Sequence, residues 1–181
     1  MSTIIDGTAG ITFPVVAGST SAVQASSGKV LQVVSTTKTD TFTTTSTSFT
    51  DITGISVSIT PSSATSKILV ICSLQFGNSS GSGYAIFRML RDASVINNGI
   101  AAGSRNSGIL GGNIFNADGN TGSILATNFL DSPSTTSATT YKMQVAQTAG
   151  STAYIGTGNS DGNISGIVRS ASTITVMEIA A

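Results

Sequence analysis

Apolar and polar residues alternate with a period of two along most of the chain after residue 28. The alternation is clearest over residues 55–60, 68–76, 84–90, 141–146 and 172–179. A period of two predicts β-strands with one buried and one exposed face. No stretch has the apolar spacing of three and four residues that is typical of an amphipathic helix. The pattern therefore predicts an all-β protein, and its many short strands favour an antiparallel β-sandwich.

The strongest of these segments is residues 68–76. One apolar face is formed by five residues, namely Ile68, Val70, Cys72, Leu74 and Phe76. Leu69 and Ile71 begin a second apolar face, so we expect a central strand whose first half is covered on both sides. Further strands are predicted at residues 29–34, 40–47, 94–96, 124–130 and 153–155. Residues 103–122 are rich in Gly and Asn and predict a long loop with a short extended segment at 109–115.

Residues 1–28 differ from the rest, because glycines and a proline interrupt every apolar run before a period is established. Six residues in this segment are nevertheless too apolar for a solvated tail, namely Ile4, Ile5, Ile11, Phe13, Val15 and Val16. Such segments commonly become ordered on a partner. We expect residues 1–28 to form an extended attachment arm. Within it, residues 11–16 are expected to add a strand to a sheet edge of another protein, with Ile11, Phe13, Val15 and Val16 as the binding residues and Phe13 in a pocket. Residues 29–181 form the β-sandwich head.

The composition narrows the range of possible functions. The chain has 29 Ser and 27 Thr, only 16 charged residues and a net charge of zero. A neutral chain is a poor match for nucleic acid or for an anionic membrane. Histidine is absent, which removes the commonest general base and zinc ligand. We therefore expect no enzyme activity, no catalytic residues, no cofactor and no metal. The N-terminal segment predicts neither a signal peptide nor a membrane span.

Two loop patterns have a possible metal interpretation. Alternating oxygen-bearing side chains occur at Asn116, Asp118 and Asn120, and again at Asn159, Asp161 and Asn163. Such side chains are ligands that calcium accepts, but each cluster has one carboxylate and no closing glutamate. Asp-Gly is also a strong turn signal, and we favour turns.

Residues 77–81 match the letters of a nucleophile elbow, and residues 156–162 contain three glycines that could suggest a dinucleotide-binding loop. An elbow needs a histidine base and a following helix, and a dinucleotide loop needs the helix too. The sequence contains no histidine and predicts no helix after either segment. Both segments are therefore interpreted as ordinary connections.

Four segments resemble a module of tailed-bacteriophage virion proteins. They are residues 28–34 (GKVLQVV), 42–58, 129–142 (FLDSPSTTSATTYK) and 171–179 (ASTITVMEI). Residues 6–14 (DGTAGITFP) are similar to the short lead-in that precedes fibre modules. The resemblance covers residues 28–181. Such modules form the distal part of tail fibres and small surface proteins of marine and cyanobacterial phages.

The resemblance implies a non-enzymatic, trimeric jelly-roll head on a particle, and it selects the jelly roll among sandwich topologies. It transfers no catalytic residue. The short arm suits a capsid decoration protein or a short fibre, which binds itself and other virion proteins of the capsid or the tail. The alternative is a tail-fibre tip that binds a host receptor or glycan. A glycan hydrolase is disfavoured, because the chain lacks histidine and has one glutamate.

Overall fold

The computed structural model describes residues 4–6, 10–12, 28–113, 122–148 and 150–181. No helix in these residues is long and apolar enough to cross a membrane. The strands are β1 (Ile4–Asp6), β2 (Gly10–Thr12), β3 (Val30–Lys38), β4 (Phe42–Thr44), β5 (Thr50–Ile59), β6 (Lys67–Asn78), β7 (Ala85–Arg91), β8 (Ser94–Ile96), β9 (Leu110–Gly112), β10 (Ser123–Asp131), β11 (Thr139–Gln147), β12 (Ala153–Ile155) and β13 (Ser172–Ile179). All assigned strand pairs are antiparallel.

Two antiparallel sheets form the head. The first sheet has the strand order β3-β13-β6-β10, and the second has the order β5-β11-β7-β8. Short strands extend both sheets at one end. The strand β12 pairs with residues 76–78 at the end of β6 and carries β4 on its other side, while β9 pairs with the start of β7.

The chain passes back and forth between the sheets in the order expected of a jelly roll. It runs from β3 in the first sheet to β5 in the second, returns to β6, and then crosses to β7 and β8. It returns to β10, crosses to β11 and ends on β13. Two interlocking Greek keys define a jelly roll, and this strand order contains both. The predicted all-β jelly-roll-like sandwich is confirmed.

The core lies between the inner faces of the two sheets. The predicted inner face of β6 is confirmed, because all five of its residues are at most 2% exposed. Phe76 meets Phe87 of the second sheet edge to face, with ring centroids 4.9 Å apart. Cys72 is buried as expected, and desolvation raises the pKa of its thiol to about 12. β6 also takes the predicted central position, with β10 on one side and β13 on the other.

The expectation that the first half of β6 is covered on both sides is wrong for a single chain. Its second face is not covered, because Leu69 is only half-buried and Ile71 is 38% exposed. The outer side of the first sheet carries no further layer among the described residues. An apolar pattern shows that a strand face avoids water, but it does not show whether the cover comes from the same chain.

The threonine-rich strand predicted at 40–47 is shorter, because β4 covers only Phe42–Thr44. The hydroxyl of Thr44 accepts a hydrogen bond from the backbone N–H of Ser46, and the hydroxyl of Ser46 accepts one from the N–H of Ser48. Local bonds of this kind compete with strand pairing. They turn the chain toward β5.

The strand β5 starts at Thr50, five residues before the predicted segment. The alternation is interrupted at Gly54, which has φ of +85°, a conformation that glycine adopts readily. The Lys38 side chain packs over this residue, since a Cβ atom there would lie 3.4 Å from its Cγ and Cδ. Because Gly54 interrupts the alternation, the period-two pattern did not predict the first half of the strand.

Candidate assembly surface

The outward side of the first sheet is the candidate functional surface and is termed the outer face. Strand alternation directs every second side chain of the four long strands to this side. Its residues are Val33, Ser35, Thr37, Leu69, Ile71, Ser73, Gln75, Ile124, Ala126, Asn128, Leu130, Thr173, Thr175 and Met177. None of these residues is charged. The same alternation places Lys67, the first residue of β6, on this side at the margin of the face, where its ammonium donates to the Ser132 hydroxyl over 2.7 Å.

An apolar row crosses the outer face from edge to edge. Val33 pairs with Met177, Met177 with Leu69, and Leu69 with Leu130. Directly opposed residues of antiparallel strands lie on the same face, so the four side chains are neighbours. Val33 is 55% exposed and Leu130 is 54% exposed. Ile71 extends the row toward the serines and threonines, which give the rest of the face a neutral polar surface.

The outward side of the second sheet has the opposite character. Asp51 accepts hydrogen bonds from the Lys142 ammonium at 2.8 Å and the Gln144 amide at 2.6 Å. These two bonds lower the pKa of the Asp51 carboxyl. The Arg88 guanidinium donates to Gln144 over 2.7 Å and lies 3.9 Å from the centre of the Phe49 ring. Charged groups that pair with one another in this way are typical of a sheet face that is exposed to solvent. The outward side of the second sheet therefore carries most of the charged side chains that the two outward sides hold.

A buried polar cluster joins the two sheets at one end of the sandwich. Asp131, at the end of β10, receives two 2.9 Å hydrogen bonds from Nη1 of Arg91, one to each carboxylate oxygen. The Tyr141 hydroxyl donates a third bond to this carboxylate over 2.7 Å. Burial raises the pKa of Tyr141, and the hydrogen bond to Asp131 raises it further. The phenol therefore stays neutral and serves as a donor.

Glu178 is fully buried on the inner face of β13. Desolvation alone would raise the pKa of its carboxyl, but hydrogen bonds from Ser62, Gln32 and Ser66 hold that pKa at about 2. The Ser62 N–H and hydroxyl donate to one carboxylate oxygen at 2.8 and 2.6 Å, and the Gln32 amide donates to the other at 2.6 Å. Glu178 is therefore an ionised carboxylate that fixes the β5–β6 connection to the first sheet.

The sign of this pKa change predicts a pH dependence. The folded pKa lies below the ordinary value of 4.5, so the charge stabilises the fold above pH 4.5 and the stabilisation is lost as the pH falls toward 2. Glu178→Gln is expected to cost about 2 kcal/mol at pH 7, and this difference should shrink below pH 4.5. Urea unfolding of both proteins from pH 7 to pH 2.5 measures it. A difference that stays constant with pH would contradict the prediction.

Asp131 and Glu178 share one row of the first sheet, with Ile68 between them. This arrangement was not predicted from the sequence. The signal was present, because Asp131 is in phase with Leu125 and Phe129 in β10, and Glu178 is in phase with the buried Ile174 and Val176 in β13. Both side chains are buried and engaged by donors, and the fully buried Ile68 separates them. They act as structural acids rather than as an accessible carboxylate pair.

The structure describes only part of the predicted arm site. Ile11 lies in β2 and pairs with Ile5 of β1 in a short antiparallel hairpin. Phe13, Val15 and Val16 lie outside the described residues. The attachment role of residues 1–28 therefore stays a prediction.

The motifs that were interpreted as connections have structural roles where they are described. At residues 77–81, Ser79 pairs with Thr152 through two hydrogen bonds, of 3.0 and 2.8 Å. A Cβ atom at Gly77 would lie 2.5 Å from the carbonyl carbon of Gly158, so a glycine is required at this close approach.

The loop cluster at residues 159–163 gives no support to a calcium site. Asp161 receives two 2.8 Å hydrogen bonds from the Arg169 guanidinium and one of 3.1 Å from the Thr41 hydroxyl. A guanidinium at this carboxylate repels a cation and occupies the oxygens that would bind one. Asn116, Asp118 and Asn120 lie outside the described residues. In the part of the chain that is described, no three His, Cys, Asp or Glu residues form a metal-binding group.

No protein-family model and no curated protein matches this sequence. Its fold is similar to solved structures of infectious bursal disease virus. The structure of the Gt strain is 16% identical, with a TM-score of 0.45, and the match covers 86% of this chain and 39% of that one. A D431N mutant of the VP2 protein in T=1 particles is 14% identical, with a TM-score of 0.44 and coverage of 86% and 37%. A VP2 subviral particle is 14% identical, with a TM-score of 0.44 and coverage of 86% and 39%.

This chain therefore spans less than two fifths of the length of the viral chains that it matches. These neighbours are viral capsid proteins with a β-sandwich fold, and none of the three is a tailed-phage protein. At these identities the likeness concerns the fold alone.

Proposed function

We propose that this chain is a non-enzymatic structural protein of a virion surface, in which three jelly-roll heads associate through their outer faces and residues 1–28 attach the trimer to another virion protein. The apolar row of the outer face, whose charged residue among the described strand positions is Lys67 at the margin, is the observation that carries this proposal. The sequence resemblance to tailed-phage modules supports the location, as a capsid decoration protein or a short fibre, and the number three.

The distribution of charge supports association through the outer face. The centre of a protein interface is depleted of charged residues and enriched in apolar ones. The outer face has this composition, although it lies on the surface of a single chain, whereas the equivalent side of the second sheet carries Asp51, Arg88 and Lys142. A sheet exposed to water on one side normally places charged groups there, as the second sheet does.

The size of the outer face sets how much of a trimer interface it can supply. Four strands at about 4.8 Å spacing and eight residues at about 3.3 Å rise give a projected area of roughly 500 Å². A stable interface takes about 800 Å² of accessible surface from each partner. A ring of three divides the outer face between two neighbours, so the face supplies the apolar centre of each interface and the surrounding edges and loops supply the rest.

The apolar row suits a ring of three copies. In a cyclic trimer the contacts are heterologous, so one edge of the surface meets the opposite edge of the neighbouring copy. Val33 lies at the β3 edge and Leu130 at the β10 edge of the same row. Around a threefold axis, the Val33 edge of one head then packs against the Leu130 edge of the next, and Leu69 and Met177 face the axis. The other large apolar residues Phe76, Met89, Met143 and Tyr141 are buried in each head and take no part.

Deletion of residues 2–27 tests the arm. We expect the truncated protein to remain folded and to keep the mass of three chains in light scattering, because the described contacts of the two sheets begin at Gly28, whose N–H donates to the Ala180 carbonyl over 2.7 Å. We expect its incorporation into particles to fall at least tenfold. Full-length protein is the control. Incorporation at the full-length level would show that the head itself carries the attachment.

A further inference from the structure

A groove on the outward side of the second sheet has no role in the proposed assembly. Tyr84, Ile86, Asn106, Gly111 and Thr148 line it, and the cavity has a volume of about 310 Å³. It lies at the start of β7, where β9 replaces β8 as the neighbouring strand. We propose that this groove binds one neutral sugar unit of a glycan.

The first argument is the exposed aromatic ring. Tyr84 is 54% exposed, although a tyrosine normally buries most of its ring. The groove floor beside it is apolar, because the buried Ile86 side chain points outward from β7. A pyranose ring has one face of C–H groups and a rim of hydroxyls. Its C–H face would pack against the Tyr84 ring and Ile86, which removes apolar surface from water.

The second argument is the set of polar groups at the rim. The Tyr84 hydroxyl and the Asn106 amide make no hydrogen bond within the described chain. The Thr148 hydroxyl accepts a 2.7 Å bond from the Tyr84 backbone N–H and keeps its own hydrogen free to donate. Together these groups offer two hydroxyls and an amide that both donates and accepts. Sugar hydroxyls require donors and acceptors side by side, and this rim provides both.

The third argument is charge. None of the residues that line the groove is charged. An acidic sugar or a phosphate would need a cation nearby, so the lining selects neutral sugars. The volume is at the small end of the range for ligand sites, about 300 to 1,000 Å³, which fits a single ring rather than an oligosaccharide.

Gly111 allows a test that leaves every contacting side chain in place. A Cβ atom at this position would meet only Cγ1 of Ile86, at an ordinary 3.9 Å. Gly111→Val should therefore be accepted by β9 and should fill the groove beside Ile86. Tyr84→Ala removes the ring, and Tyr84→Phe removes only the hydroxyl. Tyr154→Ala is the matched control, because Tyr154 lies in β12 of the first sheet.

The experiment measures binding of the full-length protein to an array of neutral and acidic glycans, followed by NMR titration with the free monosaccharide that each positive glycan carries at its end. We expect binding to neutral glycans and a dissociation constant of about 1 mM for the free sugar. Tyr84→Ala and Gly111→Val should weaken binding at least tenfold, Tyr84→Phe by less, and Tyr154→Ala should bind like wild type. All variants should keep the wild-type mass, which separates this proposal from the assembly proposal. Absence of binding, binding of acidic glycans alone, or wild-type binding by Tyr84→Ala and Gly111→Val would overturn it.

Discussion

Two acidic residues on the apolar row, introduced as Val33→Glu and Leu130→Glu in one chain, are expected to convert the proposed trimer to a folded monomer. Both side chains are more than half exposed in a single head, so the substitutions cost the isolated fold little. In the trimer they would place uncompensated carboxylates in the centre of each interface. Burial of unpaired charges costs several kcal/mol, so we expect association to weaken at least 100-fold. Light scattering at micromolar concentration measures the change in mass.

The matched control is Ser56→Glu. Ser56 is exposed on β5 and faces water on the second sheet, beside Lys142. This substitution adds negative charge to a surface that already carries charge and should leave the mass unchanged. Circular dichroism should show the same strand content in all variants. A double variant that keeps the wild-type mass would mean that the outer face is not the interface.

The sequence alone predicted the fold class and the faces of individual strands, because both depend on local alternation. The inner face of β6 was predicted residue by residue, since burial of every second side chain leaves a direct trace in the sequence. The same trace predicted a second covered face at Leu69 and Ile71, which a single chain leaves half-buried and exposed, respectively. Whether the chain covers both faces of a strand depends on which strands share a sheet, and that is decided by pairing over long distances along the sequence.

The segregation of charge between the two sheets shows this limit. Asp51, Arg88 and Lys142 are far apart in sequence and do not form a pattern. They lie together only because β5, β11 and β7 are neighbours. The Tyr84 groove has the same origin, since its lining comes from residues 84 and 86, residues 106 and 108–111, and residue 148. Sites built from separate segments leave no local period.

The buried carboxylates of Asp131 and Glu178 could be predicted in part, because their positions leave a local pattern and their partners do not. Their positions in phase with inward apolar residues could have been interpreted from the sequence as a sign of a structural role, because an unpaired charge in a core is too costly to persist. The hydrogen-bond partners of these carboxylates could not be predicted from the sequence. Arg91 lies 40 residues from Asp131 in sequence, and Ser62 lies 116 residues from Glu178.

Asp131→Ala is expected to destabilise the fold more than Glu178→Gln does. Asp131 is 5% exposed and Tyr141 is fully buried, so the substitution would leave both the Arg91 guanidinium and the Tyr141 hydroxyl without their partner. Removal of one member of a buried pair costs about 4 kcal/mol, which corresponds to a fall in Tm of about 10 °C. Tyr141→Phe is the control, because it removes one donor and leaves both bonds from Arg91 to Asp131, at a cost of about 1 kcal/mol. Since Asp131 belongs to the first sheet and both donors to the second, the difference between the two variants in thermal unfolding measures how strongly this cluster holds the sheets together. A loss of less than about 1 kcal/mol for Asp131→Ala would mean that apolar packing alone closes this end of the sandwich.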